Sequence, residues 1–263
     1  MILILGGTSE SKEITTALVR EGYQVIVCAA TPYGGSLLKE AGANEVIQQR
    51  LGTREIIDLI QTRGIQLLID ATHPFAELVT ANAQSACRQT GIIYIRYERP
   101  GCIIPEHTLI HRVPGYTDAA KKAVELAGET VFTTTGTKTL SVFCHAAQSR
   151  GKRVVARILP DLDGLKLCLD LGISPVDIIA MQGPFSIALN KALLNDFRAD
   201  VLVTKDSGAI GGTVAKIEAA LSLSIPVVLI ERPISVHGSV SSSVGTTEQL
   251  LTKILDLERN DYI

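Results

Sequence analysis

The feature that most constrains this chain is a rhythm of short apolar runs, rich in Val, Ile and Leu, mostly separated by ten to fifteen residues with helical periodicity. The runs are "MILIL", "YQVIVCA", "QLLID", "IIYIR", "TVFTT", "RVVARIL", "DIIAM", "DVLVT" and "PVVLIE". Strands this short and continuously apolar are buried on both faces, and their alternation with helices calls for a parallel sheet covered on each side. The expected class is therefore α/β. In the first helix Ser9 is the expected N-cap, Ile14, Ala17 and Leu18 share a face, and Gly22 supplies a left-handed C-terminal residue. Those positions predict a helix over residues 10–21.

A chain of 263 residues has room for two domains. The rhythm breaks at residues 97–116, "YERPGCIIPEHTLIHRVPGY", where three prolines and two glycines leave no clean helix. This stretch is the expected crossover, with "TLIHRV" as an edge strand, and it divides the chain into domains 1–112 and 113–263. Hydrophobic residues at 46% and charged residues at 20% allow a packed core and exclude a disordered chain.

A net charge of −2 creates no global field for nucleic acid or an anionic membrane, so neither is expected as a partner. An acidic ligand must then be met by local lysines and arginines. The five cysteines are scattered, with no C-x-x-C spacing, which argues against a disulfide framework and a zinc site and fits a reducing cytoplasm. His107 and His111 lie four apart in a proline-flanked stretch without a third ligand, and no metal is expected. The N-terminal apolar run is too short for a signal peptide or a membrane span, so Met1 is read as the start of the folded protein.

In open parallel sheets, ligands bind beyond the carboxyl ends of the strands. The first run ends in Gly6-Gly7-Thr8-Ser9, where glycine permits close approach of a pyrophosphate and the following helix offers unpaired N–H groups. A full G-x-G-x-x-G would need glycines at 8 and 11, where Thr8 and Ser11 stand. The second run ends without the acid that grips the ribose hydroxyls of NAD, and Thr31 can donate to a 2′-phosphate, which favours NADPH over NADH. After "LLID" come Thr72 and His73, with Pro74 expected in the first turn of a helix and the two polar residues on the ligand side.

The later strand ends are equally polar. Gly136 and Thr137 precede a helix as a second anion cradle, and Gln182 and Gly183 follow another run. "VTKDSGAIGGTVAK" gathers Lys205, Ser207, Gly208, Gly211, Gly212 and Lys216 around a helix start, a composition suited to phosphates or carboxylates. The nucleophile elbow, the P-loop and the Tyr-Lys pair of short-chain dehydrogenases are missing from the sequence.

Taken in order, "ILGGTSE", "DATHPFA", "TTGTK", "ARILP", "MQGPFS", "TKDSGAIGGTVAK" and "IPVVLIERP" resemble the precorrin-6A reductases of cobalamin biosynthesis, including the cobalt-precorrin-6A reductases. The resemblance runs from residue 4 to residue 233. It implies two Rossmann-like domains with an active-site cleft between them, and reduction of a ring double bond of a tetrapyrrole by NADPH, with NADH as the other candidate. The first domain would bind cofactor through Gly6, Gly7, Thr8, Ser9, Thr31 and Thr72, the hydroxyls of "GGTSE" assisting the backbone. The second would bind substrate, with Lys138, Arg157, Lys205, Lys216 and Arg232 of the matching motifs clamping its acetate and propionate arms. His73 is the candidate proton donor or substrate contact. Other enzymes of the pathway are implied as partners for handing over an unstable intermediate. Two readings stay open beside this one, a non-catalytic NADP(H)-sensing protein and an NADP-dependent reductase of another acidic small molecule.

Overall fold

The computed structural model describes residues 1–98, 101–208, 211–233 and 241–263. It contains two compact α/β units, one from the described residues of Met1–Pro100 and Ile234–Ile263, the other from Gly101–Pro233.

The first unit begins with β1 (Ile2–Gly6), α1 (Ser9–Arg20), β2 (Val25–Ala29), α2 (Pro32–Glu40), β3 (Glu45–Gln48), α3 (Thr53–Arg63), β4 (Leu67–Asp70), α4 (Glu77–Thr90) and β5 (Ile93–Tyr97). Side-chain alternation along β1 explains its unbroken apolar run. Ile2 and Ile4 pack with Ile14 and Leu18 of α1 on one face, whereas Leu3 and Leu5 pack with Ile56 and Ile60 of α3 and Ala83 and Ala86 of α4 on the other. Each fully buried Leu or Ile contributes about 1.5–3 kcal/mol over leaving it exposed, so a strand covered on both faces is strongly fixed in register.

The second unit comprises β6 (Ile110–Val113), α5 (Tyr116–Leu126), β7 (Thr130–Thr133), α6 (Leu140–Gln148), β8 (Arg153–Ile158), α7 (Leu162–Asp170), β9 (Ile178–Ala180), α8 (Ile187–Asp196), β10 (Val201–Lys205), α9 (Thr213–Ser222) and β11 (Val227–Ile230). The chain then returns to the first unit as β12 (Ser241–Val244) and α10 (Thr247–Arg259). β12 pairs with β5, and Leu250, Ile254 and Leu257 of α10 complete the apolar layer over Ile2 and Ile4.

Strand order is β12-β5-β4-β1-β2-β3 in one sheet and β6-β11-β10-β7-β8-β9 in the other, and among the described residues all ten strand pairings are parallel. In each sheet the winding reverses once, between β1 and β4 and between β7 and β10, and ligands of such sheets bind at these reversals. Among the described residues no helix is long and apolar enough to cross a membrane, and all five cysteines are free.

The structure amends several local expectations. The units divide at 100/101 rather than 112/113, and the C-terminal segment belongs with the N-terminal sheet, because β6 pairs with β11 while β12 pairs with β5. "TLIHRV" does supply an edge strand. Thr8, not Ser9, caps α1, and Gly22 follows the helix at φ +87° as expected. Pro74 lies before α4 in a turn closed by the Ala76 N–H to the His73 carbonyl at 2.8 Å. Residues Arg99 and Pro100 of the crossover, and Ala209 and Ile210 of "TKDSGAIGGTVAK", lie outside the described residues.

Candidate functional site

At the β1–β4 reversal the chain turns sharply out of β1, and the turn admits no side chain at Gly6. A Cβ there would stand 2.3 Å from Ser11 Cβ, and one at Gly34, where α2 presses on the turn, would stand 2.9 Å from Gly7 Cα. Gly7 sits at φ +125°, open mainly to glycine. Ser11, fully buried, organises the turn: its Oγ accepts from the Gly7 N–H at 2.8 Å and the Thr8 N–H at 2.9 Å and donates to the Thr8 carbonyl at 2.7 Å. Thr8 Oγ1 accepts from the Ser11 N–H at 3.3 Å and donates to the Ala71 carbonyl on the β4 side at 3.5 Å. The amides of Gly7 and Thr8 are thus spent internally, which leaves those of Ser9 and Glu10 at the helix start for a ligand. A turn that admits no side chain at Gly6 and leads into a helix start fits a pyrophosphate group. Ser11, which looked like a defect in the motif, is the residue that holds it together.

Thr31 caps α2, its Oγ1 accepting from the Gly34 N–H at 3.1 Å, and stays exposed beyond the end of β2. Thr72 is placed differently from expectation. Its N–H and hydroxyl donate to Asp70 Oδ1 at 3.0 and 2.7 Å, and its hydroxyl and carbonyl accept from the two terminal nitrogens of Arg96, each at 3.1 Å. Thr72 is therefore a strut of a buried network, its hydroxyl engaged both as donor and as acceptor. The other Asp70 oxygen accepts from Thr80 at 2.7 Å and Tyr94 at 2.8 Å, while Arg96 Nη1 lies 2.8 Å from Asp70 Oδ1. Asp70 is 0% and Arg96 2% exposed, so the pair is viable only because neighbouring donors and acceptors share its charges. The network fixes the first residues of the loop carrying His73. His73 is half-buried, and its Nδ1 accepts from the Phe75 N–H at 3.2 Å, which leaves the neutral ring's proton on Nε2.

At the β7–β10 reversal the second unit gathers cations. β7 runs through Thr134, bonded to the Val203 carbonyl by its N–H at 2.9 Å and its hydroxyl at 3.1 Å, to Gly136 at φ +83° and a short 3-10 turn, Thr137–Thr139. Lys138 is exposed on that turn. From β8, Arg157 donates to Asn190 Oδ1 at 2.7 Å and lies 4.8 Å from the centre of the Phe185 ring. Burial lowers the Arg157 guanidinium to about 10, still charged at neutral pH. Lys205 ends β10, and burial followed by the nearby Lys138 charge lowers it to about 8. Lys216, 7% exposed on α9, is pushed down to about 7 by burial first, then by Arg157 and Lys205.

The loop from β10 to α9 is shaped around these groups. Its Ser207 N–H donates to Thr213 Oγ1 at 3.1 Å; a Cβ on Gly211 would strike Ser207 Oγ at 2.2 Å, and one on Gly208 would approach Arg232 at 2.8 Å. Gly212, at φ +67°, faces Pro184 of the segment holding Gln182 and Gly183. Arg232 is bonded to the Asp206 carbonyl at 3.1 Å and its carboxylate at 3.3 Å, so it braces this loop and already holds one carboxylate. Among the described residues neither Arg157 nor Lys216 has a carboxylate partner. The expected cofactor residues and His73 thus all fall in the first unit and the expected substrate residues all in the second. Sequence reading missed Ser11, Asp70, Arg96, Phe185 and Asn190. Their roles arise from tertiary pairing, although Asp70, Arg96 and Phe185 all stood inside quoted stretches.

The family model for precorrin-6x reductase CbiJ/CobK matches residues 1–254. The cobalt-precorrin-6A reductase of Methanothermobacter thermautotrophicus is 37% identical over 262 residues, covering 98% of this chain and 85% of that protein. The enzyme of the same name from Priestia megaterium is 36% identical, covering 99% and 100%. The precorrin-6A reductase of Rhodobacter capsulatus is 30% identical over 88% of each chain. Among solved structures, CobK precorrin-6A reductase is similar with a TM-score of 0.75 at 27% identity, covering 97% of this chain and 96% of that one. One family thus accounts for the motifs of both units, and the chain belongs to it: precorrin-6x reductase CbiJ/CobK.

Proposed function

We propose that the protein reduces a ring double bond of precorrin-6A, in its cobalt-containing form, during cobalamin biosynthesis. The observation that carries this reading is the cation set Lys138, Arg157, Lys205 and Lys216, in which Arg157 and Lys216 await a carboxylate among the described residues. A polycarboxylate tetrapyrrole supplies several. Exposed Leu159, Leu162, Met181 and Ile187 follow the ends of β8 and β9 and suit its apolar ring. The cobalt form is favoured because the relatives at 36–37% identity carry that name, whereas the protein named precorrin-6A reductase in Rhodobacter capsulatus stands at 30%.

A reductase of this family implies a nicotinamide cofactor, and NADPH is the form proposed, since no acid ends β2 and Thr31 is exposed there. When bound, the reduced nicotinamide supplies a hydride to a ring carbon. Gly6 and Gly7 let the backbone approach the pyrophosphate, Thr8 caps the helix, and the Ser9 and Glu10 amides donate to it. The cations of the second unit, with Gly136, Thr137, Gln182, Gly183, Ser207, Gly208, Gly211 and Gly212 shaping their loops, orient the macrocycle by its acidic arms. His73 donates its Nε2–H to the substrate as a hydrogen-bond contact, and the proton that completes the reduction comes from water, which is left as hydroxide. Anaerobic incubation with cobalt-precorrin-6A or precorrin-6A and either NADPH or NADH tests the reading through loss of nicotinamide absorbance. Faster oxidation with the cobalt substrate and NADPH is expected; no oxidation with either tetrapyrrole refutes it and leaves the NADP(H)-sensing alternative.

A further inference from the structure

We propose that Lys216 is a proton-coupled anion receptor: a substrate carboxylate that reaches the cation set of Arg157, Lys205 and Lys216 pairs with Lys216 and draws a proton from solvent onto its amine. The proposal rests on the polycarboxylate reading above and adds to it a specific proton inventory.

Lys216 lies in the first turns of α9, is buried, and makes no side-chain hydrogen bond or ion pair with any described residue. The charged and titratable groups acting on it are Arg157 from β8, Lys205 from β10 and, in the opposite sense, the Cys102 thiol from the crossover. α8 packs on α9 and carries Lys191 and Asp196, neither of which acts on Lys216, and β11 carries no charge. An ammonium placed there is desolvated and faces two cations, so the neutral amine is an accessible resting form. Arg157 cannot relieve this by moving away easily, since Asn190 and Phe185 hold it.

A carboxylate reverses the balance. It brings a charge of opposite sign into the same low-dielectric space, where an ion pair with a charged lysine is far more favourable than contact with a neutral amine. The step is a single proton transfer: the amine lone pair of Lys216 forms an N–H bond to a proton whose bond to a buffer acid breaks, the conjugate base stays in solvent, and the resulting ammonium pairs with the carboxylate. Neutral ligands gain nothing from this cation set, so the same coupling selects acidic ones.

The test is calorimetric titration of cobalt-precorrin-6A into the full-length protein with NADP⁺ present, which permits binding without turnover. Titrations at pH 8 in two buffers of different ionisation enthalpy give the protons taken up per site. Lys205, lowered to about 8, contributes roughly half a proton on its own, so the diagnostic quantity is the difference between wild type and Lys216→Met. The expected difference is about 0.9 proton at pH 8 and about 0.1 at pH 6, with affinity at least about tenfold weaker in the variant. Lys216→Arg, whose guanidinium stays charged, is expected to bind without that uptake. Equal uptake by wild type and Lys216→Met, in a preparation that oxidises NADPH with the same substrate, overturns the proposal and spares the reductase reading. Absence of any binding by wild type overturns both.

Discussion

Replacing Lys216 by methionine should stabilise the second unit while weakening its ligand binding. In an unfolded chain this lysine titrates at its ordinary 10.5; in the folded protein burial, Arg157 and Lys205 hold it at about 7. Each unit of depression corresponds to about 1.4 kcal/mol, so the ceiling on the cost is about 5 kcal/mol, and at pH 7, where the folded group is half protonated, about 4 kcal/mol remains. The sign follows from proton binding. Between about pH 7 and 10.5 the unfolded chain holds a proton that the folded one has released, so wild-type stability gains with rising pH from this group. Methionine retains most of the stem's packing and removes the titration. Urea unfolding followed by far-UV circular dichroism at pH 7, 8, 9 and 10 reads the difference in the transition that includes the second unit. The variant should lead by about 4 kcal/mol at pH 7 and by under about 1 kcal/mol near pH 10.5. A variant no more stable than wild type at pH 7, or one whose advantage does not shrink with pH, refutes the assignment of a depressed Lys216.

The substrate KM should rise as pH climbs from about 7 to about 9, because Lys216 and then Lys205 lose their charges in the free protein, and Lys205→Arg should flatten the upper part of that rise. Gly6→Ala, whose Cβ would lie 2.3 Å from Ser11 Cβ, should cost about 1–3 kcal/mol of stability and lower NADPH affinity, measured by quenching or enhancement of nicotinamide fluorescence. Arg96→Met should destabilise the first unit by about 3–5 kcal/mol, since it strands the buried Asp70 carboxylate, and the double replacement with Asp70→Leu should recover much of that loss in the same unfolding assay. His73→Ala should lower kcat/KM for the tetrapyrrole by about tenfold through the lost Nε2–H contact; unchanged kcat/KM removes His73 from substrate contact.

The parallel sheets were legible because their central strands are apolar on both faces; "MILIL" and "DVLVT" admit few other readings. The edges were harder. β3 is "EVIQ" and only half-buried, and β12 is "SSSV", with too little apolar surface to stand out from a loop. β12 also joins β5 from far along the chain, a pairing that local pattern does not encode, and the expected boundary at 112/113 failed for the same reason. In the site, Gly6 and the lysines could be read as residue types at strand ends. Asp70 and Arg96 could not be paired, since adjacent strands align residues 26 positions apart, and Ser11 was misread because its role depends on the turn it closes.

The return of β12 and α10 to the first sheet has a consequence for the order in which the protein can be made. A ribosome delivers all of Gly101–Pro233 before it reaches the segment that covers Ile2 and Ile4. During synthesis the second unit is therefore complete while one apolar face of the first is covered by α1 but not yet by α10, and a chain cut short before Leu250 leaves that core open.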